Sequence, residues 1–159
     1  MSEEKLWDFI DAAGRWAGKS WGMPQMSGRV LGWLLVCEPA EQTAAQLADA
    51  LEASKGSISG ATGMLVRWRL VDRLRVRGER ADRFRIRPEV WDEQLRDQRP
   101  LDEAREMLAL GLEALAGEPA ARRARLEELD AFYAWWQSRI PTLWEEWQEY
   151  KRTTLERMR

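Results

Sequence analysis

Histidine is absent from this chain, cysteine occurs once, and no apolar run reaches the ~18 residues of a membrane-spanning helix. Each absence removes a class of function. Without histidine the commonest general base and metal ligand is missing, and no Cys or acidic set has metal-ligand spacing. No glycine-rich nucleotide motif occurs, and the carboxylates fall on helix faces that read as solvated. Neither an enzyme nor a bound cofactor is expected. The lone Cys37 excludes an intrachain disulfide, which fits a reducing compartment. It ends an apolar helix with no Lys or Arg within three residues to activate it, so an inert thiol is favoured over a redox switch. The acidic opening MSEEKLWDFIDAAG lacks the basic-then-apolar layout of a secretion signal, so a cytoplasmic location away from membranes is expected.

What is present is an uneven charge distribution. The net charge is only −2, yet residues 53–87 hold ten Lys/Arg against three Asp/Glu. The segments on either side are acidic. Charges farther apart than about 10 Å are screened at ~0.1 M salt, so a basic module can bind phosphate locally inside an acidic chain.

Residues 3–18 read as a first helix with Leu6, Phe9, Ile10, Ala13 and Ala17 on one face. After a break at Gly18–Pro24, a second helix over Gln25–Cys37 buries Val30, Leu31, Leu34 and Leu35. Its Gly28 and Gly32 would admit a neighbouring helix closely. Thr43 with Gln46 forms a capping-box pattern for a third helix striped by Ala44, Leu47, Ala48 and Leu51. Ser54 caps a fourth helix, with Ile58, Ala61, Leu65 and Trp68 facing inward. Its other face opens with Lys55, Gly56, Ser57, Ser59 and Gly60, small or basic residues suited to approach phosphate.

Two strands follow, in which Leu74 and Val76, then Phe84 and Ile86, alternate with seven arginines between Arg73 and Arg87. The period of two predicts apolar residues inward and arginines outward, with Gly78–Asp82 as the hairpin tip. Arg73 and Arg87, at the strand bases, are candidates to pair with Asp72 or Glu89. Helix, turn, helix and basic hairpin together describe a winged helix-turn-helix, whose second helix enters the DNA major groove.

Helical pattern resumes near Glu89 and runs, with an expected interruption at Pro100, to Gly117. The last helix starts near Ala120. Leu126, Leu129, Tyr133, Trp136, Ile140, Leu143 and Trp147 repeat at coiled-coil spacing, flanked by Phe132, Trp135 and Trp144, and read as a dimer seam together with Leu6 and Ile10. Pro141 is expected to kink or restart that helix. Ten tryptophans exceed ordinary core needs, and seven lie in the terminal helices. They suit either dimer packing or a ligand pocket, a cage for a cation or a slot for a flat or lipid-like molecule. Trp7, Trp16, Trp21, Trp91, Trp135 and Trp136 are the candidates for such a pocket; Trp33 and Trp68 are expected in the core of the DNA-binding lobe.

SGRVLGWLL and, about twenty residues on, SKGSISGATGMLVRWRLVDRLRVRGERADRFRIRP resemble the GbsR-type branch of the MarR-like transcriptional regulators, in particular mycobacterial efflux-pump repressors. The resemblance is close over residues 26–90 and one of layout elsewhere. It implies a mainly α, homodimeric fold: a dimerisation helix in 1–24, a winged helix-turn-helix with a two-stranded wing in 25–90, and a helical dimerisation region in 91–159. It also implies a ligand-responsive repressor of nearby genes, often transporters. Carried over by residue, Ser54, Lys55, Gly56, Ser57, Ser59 and Gly60 match the groove-facing helix start. Arg80 and Arg83 flank the wing tip, with Arg77 beside it as a further candidate DNA contact. Glu79 and Ala81 replace the Asp and second Arg of the related GDRR tip. The rival reading is a winged helix that docks a protein partner instead of duplex DNA.

Overall fold

The computed structural model describes residues 3–155 and 157; positions 1, 2, 156, 158 and 159, at the ends of the expected flanking segments, lie outside that set. The chain forms two compact units, Met1–Val90 and Trp91–Arg159.

In the first unit, α1 (Glu3–Trp21) packs along α2 (Gln25–Val36). Glycines set the distance between them. A Cβ on Gly28 would stand 2.8 Å from the Ala17 Cβ and the Gly14 Cα, and one on Gly32 would stand 2.7 Å from the Ala13 Cβ. The close approach anticipated for Gly28 and Gly32 is therefore made with α1. That helix runs three residues past Gly18, and the break falls at Gly22, whose φ of +65° suits glycine. Pro24 is the N-cap of α2 and not its first helical residue. Leu35 is half exposed, contrary to the buried face assigned to it, because Val30, Leu31 and Leu34 already fill the inner side.

The helix-turn-helix is built from caps. Thr43 accepts from the Gln46 N–H at 3.2 Å while the Gln46 side chain accepts from the Thr43 N–H at 2.8 Å, starting α3 (Ala44–Ala50). Glu52, at φ 49°, then closes α3 with Ala53 N–H donating to Ala48 C=O at 2.9 Å. Ser54 accepts from Ser57 N–H at 3.2 Å and opens α4 (Lys55–Arg67). At its far end Arg69 takes φ 60° and Leu70 N–H reaches Leu65 C=O at 3.0 Å. That reversal carries Leu70 into the core at 3% exposure and leaves Trp68 outside at 41%, correcting the expectation of a buried Trp68. Trp33 does pack against the core.

The two strands of the wing form as expected, β2 (Val71–Leu74) and β3 (Arg83–Ile86), and a short β1 (Gln42–Thr43) joins them in an antiparallel sheet of order β1-β3-β2. Its phase in β2 differs from the simple alternation. Val71 takes the inward slot directly after the Arg69–Leu70 reversal, at 0% exposure. Arg73 then lies opposite Phe84 and Leu74 opposite Arg83. Residues opposite one another share a face, so Arg73 sits with the apolar set, its guanidinium 5.4 Å from the Phe84 ring centre.

In the second unit α5 (Val90–Arg96, starting at the boundary) and α6 (Arg99–Ala114) are separate helices. The gap falls at Asp97–Gln98, just ahead of Pro100, which then occupies the first turn of α6. Gly117, at φ +85°, turns the chain into α7 (Ala120–Tyr150), which continues through Pro141 into a π-helical segment, Lys151–Leu155. Arg105 clasps α6 to α7, donating to Asp130 at 2.8 Å and to Gln137 at 3.2 Å. Asp92 corrects the reading of all carboxylates as solvated. It is buried at 6% exposure, accepting from the Trp147 indole N–H at 2.5 Å and pairing with the Lys151 ammonium.

Candidate nucleic-acid interface

The N-terminal turn of α4 is bare. Lys55, Gly56, Ser57, Ser59 and Gly60 are all exposed, while Ile58 and Ala61 hold the helix to the core from behind. A Cβ placed on Gly56 or Gly60 would meet nothing within 4 Å. Glycine inside a helix costs about 1 kcal/mol relative to alanine, and nothing among the described residues requires it at Gly60 or, in the first turn, at Gly56. The turn can therefore admit a close partner from outside, with free backbone N–H groups and a lysine to meet negative charge.

The hairpin next in sequence is basic but not uncompensated. Arg83 is held by Glu79 in a two-pronged pair at 2.8 and 2.9 Å. Asp82 stands 3.7 Å from Arg73 and 3.8 Å from Arg75. At the base, Arg85 meets Glu41 at 3.3 Å and Arg87 meets Asp72 at 3.0 Å, the second as anticipated. Among the described residues, Arg77 and Arg80 have no ion-pair partner. The tip thus presents Arg77 and Arg80 openly, with Arg75 loosely held at 83% side-chain exposure. The hydrogen bond from Arg83, aided by its charge, holds the Glu79 carboxyl below its ordinary range. The sequence did not announce this pairing, since i,i+4 spacing brings side chains together on a helix and these two residues lie in the hairpin loop and in β3. Nor did it announce Glu41, whose contact depends on the short β1.

The tryptophan candidates are scattered. Trp7 is half buried beneath the Arg29 guanidinium, 5.2 Å from its ring centre, and Trp16 meets Trp21 edge-on at 4.5 Å. Trp91, Trp135 and Trp136 are exposed. An open hollow of about 430 Å³ is lined by Trp144, Gln148 and Lys151 with Glu145, Glu149 and Arg152, and includes none of the six. The seam on α7 divides by heptad position. Leu126, Tyr133, Ile140 and Trp147, seven apart, are half buried or buried within their own unit; Leu126 lies over Gly111 of α6. Leu129 and Trp136 are open to solvent together with Phe132 and Trp135, while Leu143 is half buried. Leu6 is half buried and Ile10 fully buried against α2.

Cys37 is partly buried, its Sγ 3.9 Å from the carbonyls of Leu34 and Ala40. Burial pushes the thiol pKa up, away from the thiolate that reactivity needs.

Comparison with known proteins agrees with this architecture. Residues 89–150 match the model for MmpR5-like MarR family transcriptional regulators, so the match falls on the helical region where the sequence resemblance was one of layout only. The HTH-type transcriptional regulator MmpR5 of Mycobacterium tuberculosis (strain ATCC 25618 / H37Rv) is 35% identical over 138 residues, covering 86% of this chain and 83% of its own. A crystal structure of a transcriptional regulator superposes with a TM-score of 0.78 at 32% identity, over 91% of this chain and 99% of that one. No helix among the described residues is long and apolar enough to cross a membrane. With a capped helix-turn-helix, a basic wing and these relatives, the chain belongs to the MmpR5-like MarR family of transcriptional regulators, winged-helix DNA-binding proteins and not enzymes.

Proposed function

We propose that the chain is a cytoplasmic, ligand-responsive repressor that acts as a homodimer on a near-palindromic operator and controls neighbouring genes, transporters among them. The observation that carries this reading is the bare turn Ser54–Gly60 beside a hairpin whose Arg77 and Arg80 are open. In this arrangement α4 reads base edges while the wing supplies salt-sensitive grip on phosphate. Two such helices in a dimer would read half-sites about one helical turn apart.

Self-association is supported by the apolar surface of the second unit. Met107 and Leu110 on α6, and Leu129, Phe132, Trp135 and Trp136 on α7, are exposed. Isolated soluble proteins rarely leave such surface uncovered. On this reading a ligand acts through the spacing of the two α4 helices: one favouring the wrong spacing by ~1–3 kcal/mol shifts occupancy about 5–150-fold. The exposed tryptophans supply flat surface for a lipophilic or cationic inducer.

A gel shift with the DNA upstream of the chain's own gene tests the reading. A discrete complex, competed by the same duplex and not by scrambled sequence, is expected. Absence of any complex at low salt would favour a winged helix that docks a protein instead.

A further inference from the structure

We propose that Glu79 is an internal competitor for phosphate, holding Arg83 out of DNA binding and so lowering the chain's sequence-independent affinity. The inference rests on the reading of the wing as a DNA contact.

Three observations lead to it. First, the tip arginines differ in what holds them. Arg77 and Arg80 have no ion-pair partner among the described residues, and Arg73 and Arg75 share Asp82 beyond hydrogen-bond distance. Arg83 alone at the tip is gripped by two short hydrogen bonds. Second, the grip is not a strand contact. Glu79 lies in the loop before β3, where its N–H donates to Val76 C=O at 3.1 Å and its carboxylate spans the turn to Arg83. The pairs at the hairpin base, Arg85 with Glu41 and Arg87 with Asp72, join separate strands and segments and have an evident structural use. Third, the pair is accessible, with side-chain exposures of 28% for Arg83 and 37% for Glu79, so a phosphate oxygen can reach the same guanidinium edge.

The chemistry then follows from exchange. Arg83 can bind phosphate only by leaving Glu79, trading one charge-assisted pair for another. Glu79 is tethered four residues away and always present, whereas each phosphate must be brought in. The stranded carboxylate would also lie against a polyanion. Counterion release, which drives non-specific binding, gains nothing from an arginine already neutralised within the protein. Arg83 on this account is silent in the wild-type wing, and Arg77 and Arg80 act in its place.

The test uses a random-sequence 30-base-pair duplex, full-length protein, and affinity measured by fluorescence anisotropy over a series of salt concentrations. Glu79→Gln keeps an oxygen that can accept from Arg83 but removes the charge. It is expected to tighten binding by about 3–10-fold at low salt and to steepen the plot of log affinity against log salt by ~0.9 per wing. Arg83→Gln alone should leave the salt slope unchanged and weaken binding only through the Glu79 carboxylate that it strands, and in the Glu79→Gln background it should erase the gain. Glu118→Gln, which breaks a comparable i,i+4 pair with Arg122 on α7, controls for net charge and should leave binding unchanged. Circular dichroism melts confirm that each variant remains folded.

If folded Glu79→Gln binds no tighter, or Arg83→Gln alone flattens the slope as much as Arg80→Gln, the proposal is overturned. In the second case Glu79 positions an arginine that already contacts DNA. A wild-type protein that does not bind the duplex at any salt concentration overturns the DNA reading itself, a result distinct from either.

Discussion

Trp147 and Asp92 are 55 residues apart in sequence, and the Trp147 indole N–H donates to Asp92 Oδ1 at 2.5 Å. With Lys151 on the second carboxylate oxygen, the contact fastens the end of α7 to the start of the second unit. Burial alone would raise the Asp92 pKa, but the bonds from Lys151 and Trp147 outweigh it and hold the carboxyl below its ordinary value. A depressed carboxyl stabilises the fold above its unfolded pKa of about 3.9, and that contribution is lost as pH falls toward the native value. Asp92→Ala is therefore expected to cost about 1.5–3 kcal/mol at neutral pH, as loss of charged hydrogen bonds does. In urea melts the gap from wild type should close as pH falls below ~4; a gap constant down to pH 2 would show that the charge is not what stabilises.

Gly32 faces the Ala13 Cβ so closely that any added carbon collides with it. Gly32→Ala should lower stability by roughly 1–3 kcal/mol, as overpacking of a fitted seam does. Thermal melts read this directly, and an unchanged midpoint would mean that α1 is not seated on α2 as described.

Gly60 has open space where Gly32 has none. Gly60→Ala should stabilise the isolated protein by about 0.5–1 kcal/mol through helix propensity alone. The same methyl should weaken DNA binding if α4 lies against a groove. A variant more stable and equally tight on DNA would remove this turn from the interface.

Cys37 should be inert. Its thiol is shifted away from the thiolate, so mild peroxide should leave DNA binding unchanged in both wild type and Cys37→Ser. Peroxide sensitivity that disappears in the serine variant would contradict this.

The helix-turn-helix was legible because its signals are local. Thr43 with Gln46, and Ser54 before a small-residue turn, announce helix starts within four residues, and both caps form. What sequence did not disclose depended on distant partners. β1 is two residues long and exists only because Gln42 and Thr43 pair with Phe84 and Arg83. The phase of β2 was set by the backbone reversal at Arg69, which local alternation cannot register. A carboxylate on a short helix reads as solvated until Trp147 and Lys151 are brought to it, so Asp92 was missed. The coiled-coil spacing on α7 was visible, but which heptad position α6 would cover was not. At the wing, arginine content was plain; its neutralisation by Glu79, Asp82, Asp72 and Glu41 required the folded hairpin.

The most direct test of the account is the salt dependence of DNA binding by wild type and the double variant Arg77→Ala/Arg80→Ala. Both arginines are open at the tip and outside the core, so the variant should fold normally. Weaker binding to every duplex and a salt slope flatter by ~1.8 per wing are expected, because two phosphates would no longer be neutralised. A folded variant with unchanged affinity and an unchanged slope would contradict it, because the wing would then have no part in holding DNA.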